Sequence, residues 1–300
     1  MKKPDNFLGM TDDDTITWRE MLASTSEIVG DRVVAKWLCE HAAGVESSEW
    51  IDILDDKVSQ RCGLHLDAMM RRYLAGEPLQ YVMGRWAFRH LDLLVDERVL
   101  IPRPETEQLV DLVRSFINAS SLDHHVVVDL GTGTGAIGLS LLQEEPIDSL
   151  SVWLTDASQD AVDVAIANLA GVGRQAMNAH VAVGSWYEAL PDELRGNVDV
   201  IVSNPPYIAH GDPEVEEIVR TWEPSEALFS DDEGLADIRA IVFGASTWLR
   251  AGGLLALEMG YMQADDVSRL CHDAGLQNVL IHDDAAGKSR FIIAVAASAE

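Results

Sequence analysis

The chain has 300 residues, 47% of them hydrophobic, which is room for one large or two ordinary domains with a sizeable core. Its formal net charge is −28, and the excess sits late: residues 1–103 net −5 and residues 104–300 net −23. Such a surface repels phosphate backbones and argues against a broad basic face for nucleic acid. The three scattered cysteines, with no C-x-x-C, argue against a disulfide framework or a thiolate zinc site.

In chain order, the N-terminal stretch "MKKPDNFLGMTDDDTITW" lacks an apolar signal core and is too acidic for a transit peptide. No apolar run approaches the ~18 residues of a membrane span. Together with cysteines that read as small buried hydrophobes (Cys39, Cys62, Cys271), this predicts a cytoplasmic protein without membrane contact. Residues from about 15 to 75 read as helices, and Leu66, Met69, Met70, Tyr73 and Leu74 are expected on one core-facing side. Gly76 and Pro78 stop that run. Alternating Trp86/Phe88 and Leu91/Leu93/Val95 predict a β-hairpin over about 85–101. Pro104 then opens a helix with Glu105 and Glu107 in its first turn, where carboxylates favour the positive end of the helix dipole. His124 and His125 stand at the start of the strand–helix region and read as surface residues.

From 125 onward strands alternate with helices. Strands are expected at 125–130, 151–155, 180–184, 198–203, 253–258, 277–282 and 290–296, with helical stretches such as "ASQDAVDVAIANLAG" and "LADIRAIVFGASTWLRAGG" between them. The alternation implies a parallel sheet covered on both faces. The last two strands have only a turn between them, which implies one antiparallel strand. Ligands of such sheets bind beyond the carboxyl ends of the strands, at the topological switch point.

"VVVDLGTGTGAIGLSLL" is a buried strand, a glycine turn and a helix. Gly131, Gly133 and Gly135 allow a tight turn and a close backbone approach to a ligand, with Thr132 and Thr134 between them. The pattern fits a dinucleotide site, with Asp156 about twenty residues on to hold a ribose. It fits S-adenosylmethionine equally well, with the glycines admitting the methionine part. The turn alone does not choose between them, and Asp156 also fits a helix N-cap.

"VDVIVSNPPYIAHGDP" is more specific. A buried strand runs into Asn204, and Pro205 and Pro206 then stiffen the backbone. The Asn204 side-chain carbonyl and the Pro205 backbone carbonyl form two rigid acceptors able to hold one NH₂ group. An amide nitrogen has a delocalised lone pair and is a poor nucleophile. Two acceptors orient it and favour the pyramidal form, and Tyr207 offers a flat face for a planar group. The rate effect is alignment and electrostatics, without a metal.

These motifs resemble the HemK/PrmC family, the glutamine N5-methyltransferases of peptide chain release factors. The resemblance covers roughly residues 60–295 and rests on "GEPLQYVMG", "VLIPRPETEQLV", "VVDLGTGTGAIGLSL", "VIVSNPPYIA", "EPSEALFSDDEGLADIRAI" and "GGLLALEMGYMQ". It implies an α/β, class I (Rossmann-like) methyltransferase with a seven-stranded, mostly parallel sheet over residues 104–300. It further implies a helical substrate-docking domain over 1–82 and a hairpin linker over 83–103. S-adenosyl-L-methionine is the implied methyl donor, and the glutamine of the Gly-Gly-Gln motif of release factors the implied substrate. Gly131 to Gly135, Asp156, Trp186 and Asn204 are then the cofactor residues, and Asn204, Pro205, Pro206 and Tyr207 hold the substrate amide. Trp186 is placed to pack on adenine. Where the family carries an Asp before this tryptophan, this chain has Ser185, whose hydroxyl holds an adenine amine more weakly. Phe88, Arg103 and Glu105 lie in or beside the hairpin that borders the implied substrate cleft. Phe88 reads as hairpin core and Arg103 as an electrostatic anchor.

Three other readings compete. An adenine or guanine amino methyltransferase shares the motif, but the acidic catalytic half lacks a basic target-recognition segment. An NAD-dependent oxidoreductase explains the glycine turn and leaves Asn-Pro-Pro-Tyr idle. A non-catalytic cofactor-sensing or chaperoning protein leaves the intact motif without a purpose.

Overall fold

Thr17 starts the first helix by a reciprocal cap: its hydroxyl accepts the Glu20 N–H, and the Glu20 carboxylate accepts the Thr17 N–H at 2.9 Å. A computed structural model describes residues 16–298; the N-terminal stretch weighed for a leader lies almost wholly outside the described residues. The chain divides between Gly84 and Arg85 into two compact units.

The first unit holds α1 (Trp18–Val29), α2 (Arg32–Ala43), α3 (Gln60–Leu74) and α4 (Leu79–Met83). Asp31 and Ser59 cap α2 and α3 by accepting backbone N–H groups, and left-handed Gly30 and Gly44 end α1 and α2. The core joins Trp18, Met21, Leu38, Trp50, Leu66, Met69 and Met70, with the Trp18 and Trp50 rings edge to face at 5.7 Å. Two expectations are corrected here. Leu74 is 44% exposed: at 100° per residue it has rotated off the face shared by Leu66, Met69 and Met70. Residues 45–56 are a run of turns and not helix, tied by bonds such as Glu49 N–H to the Glu46 carbonyl at 2.9 Å.

The second unit opens with the hairpin β1 (Arg85–Phe88) and β2 (Leu91–Leu94). The hairpin is shorter than the alternation suggested. Asn168 takes both backbone groups of Leu94, accepting its N–H at 2.7 Å and donating to its carbonyl at 3.1 Å, so the ladder stops there. Val95, Val99 and Ile101 then run buried into a 3₁₀ turn at Pro104–Thr106, which precedes α5 (Glu107–Ala119).

The succession β3 (His125–Leu130), α6 (Ala136–Glu144), β4 (Leu150–Asp156), α7 (Gln159–Leu169), β5 (Ala179–Val183) and β6 (Val198–Ser203) comes after α5. Next come the short pieces β7 (Ile208–Ala209), α8 (Glu217–Trp222), α9 (Ser225–Leu228), β8 (Phe229–Ser230) and α10 (Asp231–Gly234). The unit closes with α11 (Ala236–Trp248), β9 (Leu249–Glu258), α12 (Ala264–Asp273), β10 (Gln277–Asp283) and β11 (Ser289–Val295). The main sheet has seven strands in the order β10-β11-β9-β6-β3-β4-β5, parallel except that β11 runs antiparallel to both its neighbours. This is the expected class I methyltransferase sheet. Its strand order reverses between β3 and β6, which places the crevice beyond Leu130 and Ser203.

Two further details depart from the sequence reading. β9 starts at Leu249, where the chain was expected still to be helical. Its pairing jumps from Val198↔Leu249 to Val200↔Leu254, and the extra residues bring Arg250 onto buried Asp199 as an ion pair. His125 is also not a surface residue. It is 2% exposed because β3 lies mid-sheet between β4 and β6, and neither ring nitrogen has a partner among the described residues. Desolvation holds its imidazole below the ordinary range. His124 is exposed.

Candidate active site

The turn after β3 is held from beneath. Asp129, buried in that strand, accepts the Thr132 hydroxyl at 2.7 Å and the Gly138 N–H at 3.0 Å. Burial pushes its carboxyl up to about 6, because the two donors only partly offset the loss of water. Gly131, Gly133 and Gly135 have φ of 68°, 54° and 85°, the left-handed region that side chains avoid. From the next strand, Asp156 accepts the Gly133 N–H through Oδ2 and the Ser158 N–H through Oδ1, each at 2.9 Å. Ser158, not Asp156, is the N-cap of α7. Burial pushes the Asp156 carboxyl up, against these N–H groups.

These residues wall a hollow of about 930 Å³ lined by Gly131, Thr132, Gly133, Thr134, Asp156, Ser185, Trp186, Asn204 and Pro206. Trp186 stands at its side with φ of 46°, and a Cβ on Gly131 would come 3.3 Å from the Trp186 ring. Gly135 does not line the hollow; it sits behind the turn as the first capping residue of α6, against Leu139.

A second hollow, of about 880 Å³, is lined by Asn204, Pro205 and Tyr207 together with Arg103, Glu214, Tyr261, Lys288 and Arg290. Asn204 faces both hollows. Its Nδ2 donates to Thr106 Oγ1 at 3.3 Å, and neither its Oδ1 nor the Pro205 carbonyl accepts a hydrogen bond from the described residues. The Tyr207 hydroxyl donates to Glu258 Oε1 at 3.1 Å, and its backbone carbonyl accepts from Gln263 Nε2 at 3.0 Å. Burial, with the Glu258 charge alongside, holds the phenol well above its usual range, so it stays a donor.

The outlying candidates scatter. Arg103 lines the second hollow and pairs at 2.6 Å with buried Glu223, which also accepts the Ile101 N–H at 3.1 Å. Phe88 is fully buried and Glu105 exposed, and neither lines a hollow. The sequence reading passed over Asp129, Thr106 and Glu258. Glu258 was findable, as an acid closing the apolar run "GGLLALE" where a buried strand meets the crevice. Among the described residues no group of three or more His, Cys, Asp or Glu side chains is placed to hold a metal ion, and no helix is long and apolar enough to cross a membrane.

Two family models match the chain: the PrmC N-terminal domain over residues 16–84 and the methyltransferase small domain over residues 110–224. Curated relatives match nearly end to end. A release factor glutamine methyltransferase of Xylella fastidiosa is 36% identical over 91% of this chain and 96% of that one. One of Burkholderia pseudomallei is 38% identical over 87% and 90%, and one of Lactococcus lactis 32% over 92% and 98%. With that identity over that span, the chain belongs to the release factor glutamine methyltransferase family.

Proposed function

We propose that this protein transfers a methyl group from S-adenosyl-L-methionine to the side-chain amide nitrogen, N5, of the glutamine in the Gly-Gly-Gln motif of peptide chain release factors. The observation that carries the reading is that Asn204, among the described residues the one side-chain amide lining both, stands in the wall shared by two hollows, one built on the glycine turn and one on Tyr207. The names of the curated relatives point to the same substrate.

The first hollow suits the cofactor. The Trp186 ring lies close over Gly131 at the side of this hollow and is the flat face that would pack on adenine. Asp156 keeps acceptor capacity for a ribose hydroxyl beyond the backbone N–H groups it already accepts. When bound, S-adenosylmethionine supplies an electrophilic methyl on a sulfonium sulfur. Asn204 Oδ1 and the Pro205 carbonyl accept the two N–H bonds of the glutamine amide and aim its lone pair at that methyl. The double proline keeps these acceptors fixed, so little reorganisation is needed when the nitrogen attacks. The nitrogen becomes acidic once it has attacked and needs no strong base. On this reading residues 1–82 dock the release factor, 83–103 link, 104–300 catalyse, and the enzyme works in the cytoplasm beside its substrate.

The test is transfer of labelled methyl from S-adenosylmethionine to a purified, unmethylated release factor, alongside its Gln→Ala version and a tRNA/DNA mixture. Label on the intact factor alone is expected. Label on nucleic acid would keep the chemistry at Asn204 and reject the substrate.

A further inference from the structure

The two ends of the Asn204 amide are nearly the same size, so its hydrogen-bond partners alone decide which end faces the acceptor. Nδ2 donates to Thr106 Oγ1 at 3.3 Å. That is possible only because Thr106 has its own proton committed elsewhere, to Glu258 Oε2 at 2.7 Å. Glu258 is 1% exposed, and its other oxygen takes the Tyr207 hydroxyl. Each Glu258 oxygen thus accepts one hydroxyl, and the Thr106 oxygen is left to accept from Asn204.

We propose that Glu258 is a positioning residue: acting through Thr106, it fixes the Asn204 amide with its carbonyl toward the acceptor, and it pins the Tyr207 ring by the same carboxylate. The proposal rests on the role assigned to Asn204 above. Glu258 is well placed for it. It ends β9, one residue beyond the pair Ser203↔Leu257, so the backbone ladder holds it level with Asn204. Thr106 comes from the 3₁₀ turn before α5, 98 positions from Asn204 in sequence. Burial, with nearby Glu105, raises the Glu258 carboxyl, and the two hydroxyl donors and Arg290 only partly offset this. If the Thr106 hydroxyl were turned round, it would donate to Asn204 Oδ1 and swing the NH₂ end toward the acceptor. Asn204 would then meet the glutamine N–H with another N–H.

The test compares Glu258→Gln, Thr106→Val and Thr106→Ser with the parent chain. A glutamine amide can donate to Thr106, and valine removes the hydroxyl. Both variants are expected to lose kcat by roughly 10- to 100-fold, with the dissociation constant for S-adenosylmethionine and the melting temperature little changed. Thr106→Ser keeps the hydroxyl and should recover kcat to within a few-fold. The double variant Glu258→Gln/Thr106→Val should be no worse than the worse single one, because both cut one relay. A second readout needs no turnover: in asparagine-labelled protein, the Asn204 side-chain N–H resonances should shift or lose protection from exchange in Glu258→Gln and Thr106→Val, and keep parental values in Thr106→Ser. Parental resonances in Glu258→Gln, or multiplicative loss of kcat in the double variant, would overturn the relay. A parent chain that leaves release factors unlabelled while the resonances respond as expected would instead reject the proposed substrate and leave the relay standing.

Discussion

The Asp156 carboxylate accepts the Gly133 backbone N–H at 2.9 Å, so the acid that ends β4 and the turn that ends β3 are held as one unit. Removing the carboxylate frees the turn and deletes the proposed ribose contact together. Asp156→Ala is expected to weaken S-adenosylmethionine binding by about 10- to 100-fold, the scale of a charge-assisted hydrogen bond. Isothermal calorimetry reads this directly, and an unchanged dissociation constant would remove Asp156 from the cofactor site.

Asn204→Ala separates alignment from binding. On the proposed role its Oδ1 acts on the acceptor nitrogen as charge develops there, so kcat should fall by about 10²- to 10³-fold. Cofactor affinity should change only a few-fold, because the glycine turn and Asp156 stay in place. Equal turnover by the variant would sink the mechanism.

Asp129 gives a pH signature. Its carboxyl ionises near 3.8 in an unfolded chain and at about 6 in the fold. Between these values the folded protein binds the extra proton. The stability this contributes is present in full below the lower value and is lost as pH rises through the higher one. The charged form then costs roughly 3 kcal/mol. In thermal melts from about pH 4 to about pH 7, Asp129→Asn should therefore gain on the parent as pH rises. A stability gap that does not move with pH would show that the buried carboxyl is not the source.

Gly234 has φ of 86°, and a Cβ there would run into the Tyr207 carbonyl, the group that accepts from Gln263. Gly234→Ala should cost about 1–3 kcal/mol in denaturant unfolding. Because Tyr207 must shift to make room, KM for the release factor should rise while S-adenosylmethionine affinity stays near the parent value. Loss of cofactor binding with an unchanged KM would place the strain elsewhere.

The parts of this molecule legible in its sequence are those whose signal is local. The alternation from 125 onward gave the sheet, and the glycine turn and Asn-Pro-Pro-Tyr fell where β3 and β6 end. What was missed depends on partners distant in sequence. Leu94 ends its strand because Asn168, 74 positions away, takes its backbone. Leu249 turns from helix to strand through a bulge that nothing in "STWLRAGG" announces, set by Asp199 on the neighbouring strand. His125 looks polar and exposed beside His124, yet the strands on either side bury it. Glu258 and Thr106 lie 152 positions apart, and neither says anything of Asn204 until the fold joins them.

The two hollows meet at Asn204, but their walls come from largely different stretches of chain. Residues 97–161 with 185–186 supply most of one, and residues 205–219 with 260–290 most of the other. Inheritance can therefore act on them separately. Substitutions and length changes in the loop over 208–219 redraw the second hollow, the acceptor side on the proposed function, without touching the turn that Asp129 and Asp156 hold. On the proposed function a lineage can then exchange its target while its methyl-donor side stays as it was, and grafting that loop between relatives is the corresponding route for an engineer.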